Sequence, residues 1–182
     1  MPYISHLLAV CSIVLEQGGD EDEAIAALLH DAVEDQGGQA TLGTVASRFG
    51  NRVAAIVAGC SDSFSQPKPP ALERKRAYLA QLDSGQAPRS VLLVSAADKV
   101  HNLRSILADY RSVGEDLWAR FNLGPAEQLW YYGSLAEVFA RRLGGPLAAE
   151  LAELVADLKT AARPGGGRAD AEAREPAGDR AR

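Results

Sequence analysis

The sequence predicts an all-α fold, and three observations support this prediction. Apolar residues recur at helical spacing through most of the chain up to about Lys159, and no segment shows the strong alternation of a β-strand. No internal repeat is evident. The helical patterns are interrupted at points rich in glycine and proline, which favour turns. These points are Gly18-Gly19, Gly37-Gly38, Pro67 to Pro70, Asp83 to Pro88 and Gly124-Pro125. We therefore expect a compact bundle of several helices.

The first element with recognisable chemistry is the helix that includes LLHDAVED, residues 28–35. On a helical wheel centred on His30, the other polar residues of this stretch fall within an arc of roughly 140°, opposite an apolar face. They are Asp31, Glu34 and Asp35. A charged group that follows the apolar run Ala24 to Leu29 needs a partner. The pattern therefore favours a metal or catalytic site, and the alternative is a satisfied polar cluster at a helix end.

A basic segment follows the breaker-rich stretch Ser61 to Pro70, which itself contains Lys68. Its three consecutive cations, Arg74, Lys75 and Arg76, are close enough in sequence to reach phosphate groups together. A solvated helix face is the alternative interpretation of such a charge run. Lys68, on a proline-stiffened loop, is a further candidate for phosphate contact.

A later helix contains SAADKVHNL, residues 95–103, after the apolar run Val91 to Val94. Helical spacing places Asp98, Asn102 and Ser105 on one side of this helix. A carboxylate, an amide and a hydroxyl in one row also occur in an ordinary polar stripe. Taken together with the His-Asp helix, the row is expected to form the second wall of a site.

Large aromatic residues are concentrated in the last third of the helical region. We expect most of them to bury apolar area in the core, with a minority able to stack on a base. The residues are Trp118, Phe121, Trp130, Tyr131 and Tyr132.

Residue chemistry predicts what this site would bind. One imidazole and two carboxylates, from His30, Asp31 and Asp98, suit an octahedral Mn²⁺ or Fe²⁺ with open positions better than a closed zinc site. Cys11 and Cys60 are isolated and form no metal-binding pair. An open metal site lowers the pKa of water and neutralises charge on a phosphoryl oxygen, which is the chemistry of hydrolysis.

Glu34 and Asp35 follow the His-Asp pair by one helical turn. At that distance they can orient an attacking water, accept its proton or donate a proton to the leaving oxygen. The spacing does not divide these roles between the two residues.

Composition limits the function classes. The chain of 182 residues has a net charge of -5, so it lacks the basic excess expected of a nucleic-acid-binding protein. The sequence contains no apolar run long enough for a membrane span and no secretion signal, and its two unpaired cysteines are compatible with the cytoplasm. We expect one domain over residues 1–160. We expect a flexible tail over residues 161–182, which are rich in Gly, Ala, Arg and acids.

Five blocks of the sequence resemble, in order and spacing, those of the HD-domain phosphohydrolases. Within that family they resemble the hydrolase domain of RelA/SpoT-like enzymes and the stand-alone small alarmone hydrolases. The resemblance covers residues 2 to about 145, and the combined HDxxED and ADKxHN pattern is specific. The blocks are PYISHLLAV (2–10), AALLHDAVED (26–35), RFGNRVAAIV (48–57), LERKR (72–76) and ADKVHNLR (97–104).

The resemblance implies an all-helical HD-domain bundle with a metal ion, usually Mn²⁺. Its ligands would be a first histidine followed by His30, Asp31 and Asp98. The Glu34-Asp35 pair would be the catalytic element. The implied reaction is hydrolysis of guanosine 3′,5′-bis(diphosphate), ppGpp, to GDP and pyrophosphate.

The resemblance also implies contacts with the nucleotide substrate. Asn102 and Ser105 would face its guanosine part. Arg104, which the family motif also matches, would contribute to the rim, although its helical angle points away from Asp98.

The resemblance leaves the first histidine without a counterpart, because we expect it on a helix that would precede Pro2. A fragment or wrong start, a true truncation, and replacement by another histidine are the three explanations. His6 and His101 are the candidates for replacement, and we expect neither to be a ligand. The domain is thus expected to be incomplete at its N-terminus relative to the family.

Two other function classes stay open at this stage. The first is an HD phosphohydrolase that acts on another nucleotide, because a metal site prescribes the reaction better than the substrate. The second is a catalytically impaired module with a binding or regulatory role, which the unassigned first ligand would explain.

Overall fold

A computed structural model describes residues 2–64 and 67–162, with the side chain of Asp35 excepted, and these residues form helices and loops without a β-strand. The all-α prediction is therefore confirmed. The helices are α1 (Tyr3–Glu16), α2 (Glu21–Leu29), α3 (Ala32–Asp35), α4 (Gln39–Phe49), α5 (Asn51–Cys60), α6 (Ala71–Asp83), α7 (Arg89–Val113), a 3₁₀ segment (Gly114–Arg120), α8 (Pro125–Arg142) and α9 (Gly145–Ala161).

Every predicted interruption coincides with a helix boundary. Additional boundaries lie at single glycines that the sequence analysis did not single out. At Gly50, φ is 90°, a left-handed conformation that glycine adopts without steric cost. The chain can therefore turn between α4 and α5 in one residue.

The His-Asp pair does not lie in one continuous helix as expected. It lies between α2 and α3, and the backbone of Asp31 has φ −92° and ψ −8°, away from α-helical values. His30 contributes to this break, because its Nδ1 donates to the carbonyl oxygen of Ala27, 2.8 Å away. An unbroken helix would pair that oxygen with the N–H of Asp31.

The 25-residue helix α7 is the centre of the bundle. It packs against α1, α2, α5, α8, α9 and the 3₁₀ segment. Most of its large apolar side chains are buried, including Val94, Val100 and Leu103 with no exposed surface, whereas Val113 at its C-terminal end is 37% exposed. Because α7 also carries Asp98, the site is anchored to the central helix of the bundle.

Most of the aromatic residues in the last third of the helical region lie in or against the core, as expected. Trp118, Tyr131 and Tyr132 are buried in the core, and Phe121 packs against it. Trp130 is 39% exposed.

Two further findings concern the hydropathy of the described helices and the end of the bundle. In the described ranges, no helix combines the length and hydropathy needed to cross a membrane. Helix α9 continues to Ala161. Residues 163–182, most of the expected tail, lie outside the described residues.

Candidate metal centre and active site

His6 lies on α1 and reaches the polar cluster formed by the His-Asp pair and Asp98. It is buried, and its Nε2 lies 3.4 Å from Nε2 of His30 and 3.4 Å from Oδ1 of Asp98. His6, His30 and Asp98 form a buried group whose ligand atoms could hold a metal ion. The structure thus places His6, which the sequence analysis did not expect to be a ligand, among the residues that could hold an ion.

The orientation of His30 is fixed by its hydrogen bond to Ala27. A carbonyl oxygen can only accept, so Nδ1 of His30 carries a hydrogen and donates it. In the neutral ring, the lone pair is then on Nε2, which faces Oδ2 of Asp31 at 3.3 Å and Oδ1 of Asp98 at 3.5 Å. The metal-binding nitrogen of His30 therefore points into the cluster.

The spacing of these atoms fits a shared ion. Ligand atoms about 2.1 Å from one metal lie roughly 3.0 Å apart at 90° and roughly 3.4 Å apart at a tetrahedral angle. The measured separations within the group are 3.4 to 3.5 Å, and Oδ2 of Asp31 lies 3.9 Å from Nε2 of His6. Two imidazole nitrogens and carboxylate oxygens at this spacing are suitable ligands for a divalent transition metal.

Asp98 is kept ionised by its neighbours. Burial alone would raise the pKa of its carboxyl, but the charge of Lys99 and a hydrogen bond from His30 hold that pKa well below its usual range. Asn102 donates from Nδ2 to Oδ1 of Asp98 over 2.6 Å. The residues on either side of this carboxylate therefore fix its charge and its orientation.

Asp31 is the more accessible carboxylate of the cluster, with 35% of its side chain exposed. The hydroxyl of Tyr3 donates to its Oδ2 over 2.6 Å. Burial would raise the pKa of Asp31, but the hydrogen bond and charge of His30, with the Tyr3 hydroxyl, lower it. Tyr3 and His6 lie one turn apart on α1 and so contact the cluster together.

Glu34 lies beside the cluster and is held by a different set of contacts. Its Oε1 accepts from the backbone N–H of Asp62 over 2.6 Å, and its Oε2 lies 3.6 Å from Nζ of Lys68. Burial is the largest cause that raises the pKa of Glu34, and the charge of Asp62 adds to it. A carboxyl with a raised pKa is suited to accept and return a proton near neutral pH.

The three consecutive cations of α6 have different surroundings. Arg74 forms an ion pair with Asp62. Lys75 places Nζ 3.9 Å above the ring of Tyr131, whereas Arg76 is exposed and lies 5.9 Å from the ring of Trp130. Among the described residues no ion pair involves Lys75. Burial and the charge of Lys99 lower the pKa of Lys75 to about 8.

The remaining predicted site residues are only partly brought together. Ser105 is half-buried, and its hydroxyl donates to the carbonyl of His101 over 3.1 Å. Arg104 is exposed and pairs with Glu150 of α9, with Nε 2.7 Å from Oε1, so the structure does not bring it to the cluster. Asp35 ends α3, and its side chain lies outside the described part of the chain.

Sequence reasoning missed three contributors to the site. Tyr3 and His6 lie on α1, and their spacing of three residues on one helix face was the available signal. Asp62 acts on Glu34 through a backbone N–H, which no residue pattern reveals. Each of them meets the cluster only through tertiary packing.

With this geometry established, comparison with known proteins gives a consistent result. The HD domain family matches residues 1–122 of the chain. A guanosine-3′,5′-bis(diphosphate) 3′-pyrophosphohydrolase, MESH1, of Xenopus tropicalis is 38% identical over 107 residues, which are 58% of this chain and 56% of that protein. The bifunctional (p)ppGpp synthase/hydrolase SpoT of Escherichia coli K12 is 34% identical over 109 residues, which are 58% of this chain and 15% of SpoT. The chain thus spans little more than half the length of the shorter of these relatives.

Two solved structures resemble the fold. The crystal structure of lmo0812 from Listeria monocytogenes EGD-e has a TM-score of 0.71 at 29% identity, covering 82% of this chain and 96% of that one. A structure described as a metazoan ortholog of SpoT that hydrolyses ppGpp has a TM-score of 0.64 at 25% identity. The match covers 85% of this chain and 80% of that one. Since the family match spans more than half of the 182 residues and includes the whole metal cluster, the chain belongs to the HD-domain family.

Proposed function

We propose that the chain is a metal-dependent phosphohydrolase that converts ppGpp to GDP and pyrophosphate. The observation that carries the proposal is the convergence of His6, His30 and Asp98 on one buried point with Glu34 beside it. The named activity of the MESH1 relative supports ppGpp as the substrate. The reducing cytoplasm is the expected location, since both cysteines are free.

We propose His6, His30, Asp31 and Asp98 as the residues that hold the ion. Mn²⁺ fits best, because two nitrogens and hard oxygens with room for water favour it over a closed zinc site. When bound, such an ion lowers the pKa of water and neutralises charge on a phosphoryl oxygen. We propose that His6 fills the role of the first histidine that the resemblance implied, and its position in the cluster favours an active hydrolase over a catalytically impaired module.

Glu34 is the proposed general base and acid. Its raised pKa suits it to accept a proton from the attacking water at one carboxylate oxygen and to return it to the leaving oxygen. The N–H of Asp62 holds the other oxygen, so the carboxylate cannot rotate freely. Asp35 stays a candidate for sharing this work.

Substrate contacts are proposed on two sides of the cluster. Asn102 and Ser105 lie on the Asp98 face of α7 and would contact the guanosine part. Lys75 would contact phosphate, because a half-buried ammonium over an aromatic ring, without a carboxylate partner among the described residues, favours an incoming anion.

Two substitutions separate metal binding from proton transfer. His6→Gln is expected to lose the ion and turnover together, whereas Glu34→Gln should keep the ion and lose turnover by at least about a hundredfold. Metal content by mass spectrometry and release of GDP and pyrophosphate from ppGpp measure the two effects. Full activity in both variants would exclude the proposed site.

A panel of nucleotides tests the substrate. With Mn²⁺ present, ppGpp should be hydrolysed in preference to GTP, GDP and nucleoside monophosphates. Faster hydrolysis of another nucleotide would retain the metal chemistry but reassign the substrate.

A further inference from the structure

His101 lies directly behind His6, on the side away from the metal cluster. Its Nδ1 is 2.8 Å from Nδ1 of His6, and the ring centroids are 4.9 Å apart. His6 is buried and His101 is half-buried. His101 is outside the group that could hold a metal, and its ring contacts that group through His6.

Two imidazole nitrogens at this distance share one hydrogen. A neutral imidazole donates from one ring nitrogen and accepts at the other. If His6 donates from Nδ1, its Nε2 is left with a lone pair that faces His30 and Asp98. If His101 donates instead, the hydrogen of a neutral His6 lies on Nε2 and blocks that nitrogen as a metal ligand.

We propose that His101 is a positioning residue that accepts the Nδ1 hydrogen of His6 and so keeps the Nε2 lone pair of His6 directed at the metal. This inference rests on the metal site proposed above. Metal-binding histidines usually donate from their second ring nitrogen to an acceptor that fixes the ring. The carbonyl oxygen of Ala27 is that acceptor for His30. Among the described residues, the partner of Nδ1 of His6 is the ring of His101 and not a backbone carbonyl.

Helix α7 makes this arrangement rigid. Asp98 supplies a ligand, Asn102 holds Asp98, and His101 holds His6 from the same two turns. A buried helix thus sets both the oxygen and the nitrogen side of the site. The proposal predicts that removing the acceptor weakens metal binding even though no ligand is lost.

Two matched substitutions test the proposal without any nucleotide. His101→Phe keeps a ring but has no acceptor, and its affinity for Mn²⁺ should fall about 10- to 100-fold. His101→Asn places an acceptor oxygen near the position of Nδ1, and its affinity should stay within about threefold of the wild type. Titration calorimetry with Mn²⁺ measures both, and circular dichroism checks the fold.

A spectroscopic measurement on the unmodified protein gives an independent reading. With Zn²⁺ as a diamagnetic probe, ¹⁵N-edited NMR of the histidine rings should show His6 with its hydrogen on Nδ1. The same tautomer should persist in His101→Asn. This second measurement keeps the proposal testable if the phenylalanine variant does not fold.

The outcomes separate this inference from the proposed function. A wild type that binds no Mn²⁺ would overturn both. A wild type that binds Mn²⁺ with the same affinity as His101→Phe would overturn only the role of His101. If the His6 hydrogen lay on Nε2 in the metal-bound protein, both the role of His101 and the place of His6 among the proposed ligands would be overturned. A wild type that binds Mn²⁺ but does not hydrolyse ppGpp would overturn only the proposed function. The role of His101 would be unaffected, because neither of its two measurements uses a nucleotide.

Discussion

A proton and a metal ion compete for the same nitrogen of His30. Burial disfavours the charged ring, but Asp31 and Asp98 outweigh it and raise the pKa of His30 to about 10. Below that pKa the metal-free ring is protonated, so at pH 7 binding an ion must displace a hydrogen.

Metal uptake should therefore release about one proton per ion at pH 7, and affinity should rise roughly tenfold per pH unit below the raised pKa. Calorimetry with Mn²⁺ in buffers of different ionisation enthalpy measures the released proton. Because the pKa of His30 is raised in the folded protein, the affinity for Mn²⁺ must increase as the pH rises and the ring loses its proton. Affinity that does not change between pH 6 and pH 8 would contradict the assignment of His30 as a ligand.

Lys75 and Arg76 are neighbours in sequence with different surroundings, which makes them a matched pair. Lys75→Gln should lower kcat/KM for ppGpp about tenfold or more, because a hydrogen bond to a charged group contributes roughly 1.5–3 kcal/mol. Arg76→Gln, at an exposed position, should change it by no more than about twofold. Steady-state kinetics with both variants measures the two effects on kcat/KM. Equal effects would mean that Lys75 belongs to a solvated helix face and does not contact phosphate.

At this scale the sequence singled out the candidate ligands that adjoin a motif and missed the candidate that depends on packing. His30, Asp31 and Asp98 stand out because polar groups interrupt apolar helices. His6 shows no such signal, since its partners come from α2 and α7 and are 24 or more residues away along the chain.

At the scale of elements, the break between α2 and α3 places the His-Asp pair at a helix end. Periodicity predicted a helix through these residues, and it could not show that the His30 side chain contacts the Ala27 carbonyl. Helix boundaries marked by glycine and proline pairs were predictable, because those residues restrict the backbone locally.

Helix α9 supports α7 without contributing to the metal cluster, so stability and metal binding should separate there. Leu151 is fully buried, and Leu151→Ala should cost about 2–5 kcal/mol of unfolding free energy. Chemical denaturation measures that loss, and Mn²⁺ affinity of the folded variant should be unchanged. The exposed neighbour Glu153 serves as the control, because Glu153→Ala should stay within about 0.5 kcal/mol. A large loss of metal affinity in Leu151→Ala would mean that α9 helps to shape the site.

At the scale of the whole molecule, the bundle brings together three segments that are distant in sequence. Helix α1 supplies His6, the α2–α3 junction supplies His30 and Asp31, and α7 supplies Asp98. The all-α fold class could be predicted from the helical spacing of apolar residues. The packing of α1 against α2 and α7 could not, because it depends on the fit of side chains, which that spacing does not encode.

Anomalous diffraction from crystals grown with Mn²⁺ tests the central claim most directly. We predict one anomalous peak per chain, within about 2.0–2.4 Å of Nε2 of His6, Nε2 of His30 and Oδ1 of Asp98. A peak bound elsewhere, or no peak from protein that hydrolyses ppGpp, would contradict the account.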